Sequence, residues 1–156
     1  MRVEQPSESA QMRVIKKLLI AGALVFGAIG TQADDNSVIC LAKNIYYEAR
    51  GESLPGKLAV AKVTLNRVES PRFPKTVCDV VYQKFQFSWT SNKQTKIYDK
   101  NAWQESLNLA RDAIKSNLSE LDKFTALYFH SRHIKPNWKL KRIAKIGNHV
   151  FYDHHS

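Results

Sequence analysis

Acidic side chains are scarce in this chain: its 156 residues hold 14 Asp and Glu against 24 Lys and Arg, a formal net charge of +10 at pH 7. That imbalance argues against basic partners and for polyanions, either nucleic acid or an anionic cell envelope. Long hydrophobic runs are missing as well. The longest, residues 18–30, has 13 residues where a bilayer span needs roughly 20, so no stable transmembrane anchor is expected. There is no internal repeat and no low-complexity tract, which excludes a repeat array. Only two cysteines occur, Cys40 and Cys78, so one internal disulfide is the most the chain can form.

What is present begins with a leader pattern. Lys16 and Lys17 precede the apolar run, and the small residues Thr31 and Ala33 follow it. This is the three-part form of a secretory signal with cleavage expected after Ala33, and Met12, just before the basic pair, marks residues 1–11 as an upstream extension or a misassigned start. Residues 1–33 carry four basic and two acidic side chains, so residues 34–156 keep a net charge of +8. That remainder, 44% apolar over the whole chain, suffices for one core and one active site. Export to the periplasm or the medium favours a wall polymer over nucleic acid as the polyanion. It also favours a Cys40–Cys78 disulfide, whose loop of 38 residues is worth about 3–4 kcal/mol.

Periodicity sketches the domain. Val38, Leu41, Ala42 and Ile45 recur at helical spacing after the capping candidates Asp35, Asn36 and Ser37, which predicts a first helix running toward Arg50. Gly51 and Pro55-Gly56 mark a turn over residues 51–56. A second helix, residues 57–68, is apolar on more than one face and is expected at the centre of the core. Thr76 caps a short third helix through Val77, Val80 and Val81. Residues 85–89 read as an irregular aromatic loop, and Trp103, Leu107, Ala110 and Ile114 as an amphipathic helix with Trp103 in the core. Residues 126–130 and 149–152 are β-favouring and predict a two-stranded antiparallel element. The fold class is therefore α+β, mostly helical with a small β-flap.

The segment Asn44-Ile-Tyr-Tyr-Glu-Ala-Arg-Gly-Glu52 puts two carboxylates four residues apart at a helix end, with Cβ atoms about 6 Å apart if the helix persists. Cleaving a glycosidic bond needs an acid that stays protonated near neutral pH. Ile45, Tyr46 and Tyr47 offer desolvating surface for Glu48, and Glu52 adds like-charge repulsion, both raising its pKa; Arg50 points away. Carboxylates at helix ends are more often simply solvated, so spacing alone does not assign Glu48.

Several motifs in order do more. The stretch from Cys40 through Glu52, residues 56–68, Phe73-Pro-Lys-Thr-Val-Cys-Asp-Val-Val-Tyr-Gln83, Gln86-Phe-Ser-Trp89, Ala126-Leu-Tyr-Phe-His-Ser131, Pro136-Asn-Trp138 and Ile146-Gly-Asn-His-Val-Phe-Tyr152 resemble the cell wall hydrolase family of the spore cortex-lytic enzyme type over nearly all of residues 38–153. The resemblance implies a lysozyme-like or lytic-transglycosylase-like α+β domain that cleaves peptidoglycan glycan strands; a monomer with no cofactor or metal is expected. It puts the catalytic acid on Glu48 and makes Glu52 a supporting, substrate-side residue. Gln86, Phe87, Ser88, Trp89, Tyr128 and His130 have the chemistry to grip sugar and fall near Glu48 by the same resemblance. Core packing competes for Phe87 and is the expected role of Trp138; Asn66-Arg67 reads as a helix-terminal structural pair. Six basic residues from Arg132 to Lys145, with no acid among them, form a positive rim.

Other classes are weaker. His130, His133, His149, His154 and His155 suggest a zinc amidase, but the spacing lacks the helical pattern of a metalloprotease. A non-catalytic module for wall polymer or nucleic acid rests on charge alone. Hydrolysis with Glu52 or another acid as second carboxylate competes with transglycosylation, and a leader of this kind suits either a wall-remodelling enzyme or the releasable anchor of a phage lysin.

Overall fold

The structure, a computed structural model, describes residues 30–91, 96–116 and 118–154, with side chains from residue 35 onward. The leader run and the start at Met12 lie outside the described residues, as does His155. Helix α1 spans Gly30–Ala49, so the start expected at residues 35–37 is corrected: the backbone is already helical at Gly30, and Asp35 and Asn36 lie exposed within the helix. Its buried face is Val38, Leu41, Ala42, Ile45 and Ala49, the i, i+3, i+4, i+7 stripe that the spacing predicts. A tight turn follows, with Glu52 N donating to Ala49 O at 2.9 Å.

Helix α2, Leu54–Glu69, carries Pro in its first turn, where the missing N–H costs nothing, so it begins within the segment read as a turn. It is buried on several faces, as expected of a central helix. One face joins Leu41, Ile45, Val81, Trp89, Ala110 and Ala113 in a first apolar cluster; the other puts Ala59, Val60 and Val63 against Ala126 and Phe151 in a second. Asn44 Nδ2 donates to Thr64 Oγ1 at 3.0 Å across the buried α1–α2 contact. Lys57 and Lys62 are buried along their whole side chains but paired with Glu105 at 2.7 Å and Asp122 at 3.4 Å.

Helix α3, Val77–Val81, is capped by Thr76, whose side chain accepts from Asp79 N. The disulfide joins it to α1, Cys40 to Cys78, with Cα atoms 5.2 Å apart. Residues read as an irregular loop contain a short helix α4, Ser88–Ser91, preceded by Phe85 at φ 66°. Helix α5, Lys100–Ser116, buries Ala110 and Ala113 and packs Trp103 against the first cluster.

The sheet has three strands, one more than expected: β1 Tyr128–Ser131, β2 Lys141–Ile146 and β3 His149–Asp153, in the antiparallel order β1-β3-β2. The foreseen pair is in register Phe129↔Phe151 and His130↔Val150. Strand β2 hides within the basic rim because Lys141, Arg142 and Lys145 are exposed while Ile143 and Ile146 pack on the second cluster. No described helix is long and apolar enough to cross a membrane.

Candidate active site

Glu48 sits in the last turn of α1, three residues before Gly51, because Gly51 and the Pro55 start of α2 stop the helix there. Its half-buried carboxyl opens on a cavity of about 560 Å3 between α1, α2, the segment 85–91 and the sheet. Burial pushes it up to about 7, although Arg67 and the Trp89 indole pull it down. The indole N–H is buried with no acceptor in good hydrogen-bond geometry, so its effect on Glu48 is a weak electrostatic one. Tyr47 stacks on Trp89 with centroids 4.7 Å apart, and Trp89 also lies against Phe87. Together they form an apolar wall that keeps water from the acid.

The opposing cation is Arg67, not Arg50, whose guanidinium lies over Tyr46. Arg67 is 4% exposed. Its Nε donates to Leu127 O at 2.7 Å, and its guanidinium lies 5.1, 5.6 and 5.9 Å from the Phe73, Phe87 and Tyr128 rings. One of its terminal nitrogens is buried without a partner. Burial lowers it to about 10, against the attraction of Tyr128 and Glu48. A helix-terminal structural role was the sequence expectation for Asn66-Arg67. Asn66 fits it, donating to Phe124 O and Ala126 O; Arg67 instead lines the cavity beside Glu48. The available signal was its spacing, since Arg67 continues the buried stripe Val60, Val63 where an apolar residue belongs.

Glu52 is elsewhere. Its carboxylate accepts from Asn148 N at 3.0 Å and Asn148 Nδ2 at 2.9 Å, tying the α1–α2 turn to the β2–β3 turn. Burial raises its pKa, but the two Asn148 hydrogen bonds, with His149 and Arg132, outweigh that and leave it lowered. The expected like-charge repulsion on Glu48 is therefore corrected: the charge acting on Glu48 is Arg67, with the neutral Trp89 indole beside it, because Glu52 turns away to the hairpin. It does not line the cavity.

Of the other expected residues, Gln86, Phe87, Ser88 and His130 line the cavity with Glu48. Tyr128 lines a second cavity of about 520 Å3 that shares Arg67, Phe85, Gln86, Phe129 and Trp138 with the first; Trp89 backs the wall. His130 Nδ1 faces Ser131 O at 2.7 Å and Nε2 faces the Tyr152 hydroxyl at 3.0 Å. The carbonyl can only accept, so Nδ1 carries the proton and a neutral ring accepts from Tyr152. Its neighbour His149 is buried with Nδ1 unpartnered; burial lowers its pKa, Glu52 opposing and His130 adding. Trp138 is corrected from core to rim: it is 43% exposed, its ring packed on Tyr128, His130 and Tyr152. Phe85, 85% exposed on the opposite rim, had no sequence signal beyond lying in an aromatic segment. Among the described residues, no three His, Cys, Asp or Glu side chains converge as metal ligands would.

The α+β fold is shared with solved structures. The chain superposes with TM-score 0.62 on the catalytic domain of the germination-specific lytic transglycosylase SleB from Bacillus anthracis, at 29% identity over 82% of this chain and all of that one. It matches the catalytic domain of Bacillus cereus SleB equally, at 27% identity over 85% of this chain and all of that one. Residues 51–152 match the cell wall hydrolase family model. The spore cortex-lytic enzymes of Bacillus subtilis and Oceanobacillus iheyensis are 31% and 33% identical over 75% and 74% of this chain. The chain belongs to the cell wall hydrolase family. It spans 37% and 41% of the length of those two relatives.

Proposed function

We propose that this chain is a lytic transglycosylase that cuts peptidoglycan between N-acetylmuramic acid and N-acetylglucosamine, with Glu48 as acid and then base. Glu48 gives its proton to the glycosidic oxygen as the bond from the muramoyl anomeric carbon breaks. The muramoyl 6-hydroxyl then attacks that carbon and returns its proton to Glu48. A 1,6-anhydro end forms and no water is consumed. Arg67 stabilises the carboxylate between the two steps without holding it in an ion pair that would keep it ionised beforehand. Phe87, Trp138 and Phe85 offer ring faces, and Gln86, Ser88 and His130 polar groups, for the sugars.

The observation that carries this reading is that Glu48 is the one carboxylate lining either cavity among the described residues. Hydrolysis by inversion or retention needs a second carboxyl within about 5–10 Å across the bond, and Glu52 is committed to Asn148. Mass spectrometry of muropeptides from digested walls tests it. Anhydro-muramoyl ends are expected; reducing muramic or glucosamine ends would mean hydrolysis, and freed stem peptides an amidase.

We also propose that residues 1–33 are removed on export and that residues 34–156 act in the periplasm or medium. The Cys40–Cys78 disulfide supports an oxidising compartment. N-terminal sequencing of the exported protein should start at Asp34; a start at Met1 or Met12 would contradict it.

A further inference from the structure

The second cavity is not used by the proton transfers above, and its chemistry differs from that of the first. It contains no carboxylate, whereas Arg67, Lys139 and His154 line it together with the Asn137 amide. Lys139 makes no ion pair among the described residues, and neither does any other of the six basic residues between Arg132 and Lys145. Lys139 is thus not tied up in an ion pair among the described residues. Behind it lies Arg67, almost wholly buried and with one guanidinium nitrogen unpartnered, in a low-dielectric surrounding where its field reaches further than that of a solvated lysine.

The two cavities meet at Trp138, which lines both and leaves 43% of its surface open. Asn137 and Lys139 flank it in sequence and both face the second cavity. A substituent of a sugar bound at Glu48 that extends past Trp138 would meet Lys139, in a cavity that Phe85, Tyr128 and Phe129 also line. Every second sugar of a peptidoglycan strand carries such a substituent, a lactyl ether that ends in a free carboxylate or in a peptide bearing carboxylates. Resting on the reading proposed above, we infer that the second cavity is an anion-binding subsite for a carboxylate on the muramoyl side chain, with Lys139 as its exposed ligand and Arg67 as the buried charge behind it. The strand is read by what hangs from it as well as by its rings. Lys141, Arg142 and Lys145 line neither cavity, so they attract walls generally and are screened by salt.

The test compares three soluble glycan strands: peptide-bearing, amidase-stripped with free lactyl carboxylates, and peptide-bearing with its carboxyls converted to neutral amides. Wild type, Lys139→Gln and the equal charge change Lys145→Gln are assayed on each. Lys139→Gln should raise KM roughly five- to tenfold on a carboxylate-bearing strand with kcat held, and wild type should show the same rise on the amidated strand. Preference for the stripped strand assigns the site to the lactyl carboxylate; preference for the peptide-bearing strand assigns it to the stem peptide. Equal KM of wild type on charged and amidated strands, or equal effects of the two variants, would overturn the subsite. Failure of the transglycosylase reading would look different: anhydro ends would be missing from every arm. Calorimetric binding of the same strands to Glu48→Gln and to Glu48→Gln/Lys139→Gln would still decide the subsite.

Discussion

Glu48 and Arg67 form an asymmetric pair, each held away from its ordinary pKa chiefly by burial. Because Arg67 lowers Glu48, Arg67→Met should move the alkaline limb of the kcat/KM profile above 7 while lowering kcat about 10–100-fold. The three rings around the guanidinium can accept the thioether, and an unmoved limb in a folded variant would show that Arg67 is only structural. The same burial has a stability consequence. Glu48 has a folded-state pKa of about 7 against an ordinary 4.5, so the folded state keeps a proton that the unfolded chain releases. That stabilisation is complete below about pH 4.5 and is lost as pH rises through 7, roughly 3 kcal/mol in all. Glu48→Gln cannot ionise and should exceed wild type in urea unfolding at pH 9 by about 1–3 kcal/mol, less whatever Arg67 loses with its counter-charge; equal stability would contradict the burial. At this scale the sequence was half legible. Glu48 stood out through its motif, whereas Arg67 looked like a helix end because a cation on an apolar stripe can be explained only by what faces it.

Helices were legible as elements because their stripes are set by local spacing: Val38, Leu41, Ala42 and Ile45 bury as their period requires. Strand β2 was not, since its exposed lysines and arginine read as a solvated run and its two inward isoleucines acquire meaning only beside β3. The Glu52 clamp was illegible for the same reason, as Asn148 is 96 residues away. It makes the β2–β3 turn a sensitive point. Gly147 has φ +56°, and a Cβ there would run into the Glu52 carboxylate. Gly147→Ala should therefore cost about 1–3 kcal/mol, seen as a lowered urea midpoint, and an unchanged midpoint would mean that the turn relaxes freely. Joining α1 to α3, the disulfide closes a 38-residue separation. Cys40→Ser/Cys78→Ser should lose about 3–4 kcal/mol by the same assay, and a loss under 1 kcal/mol would count against loop closure as its role.

Across the whole molecule, α2 separates two apolar clusters and carries Arg67 to the groove that they support, so the acid, its counter-charge and the flap are fixed by one central helix. The surplus of basic residues, evident from composition, resolves into two parts that composition cannot tell apart: Lys139 facing the groove, and a solvated rim along β2. We propose that one proton donor at the end of α1 does the chemistry. Its most direct test is digestion of purified wall sacculi by Glu48→Gln at pH 6, after circular dichroism and urea unfolding have shown the variant folded. No soluble muropeptides above background are expected from the variant, while wild type releases anhydro-ended fragments. Release at the wild-type rate by the folded variant would contradict it.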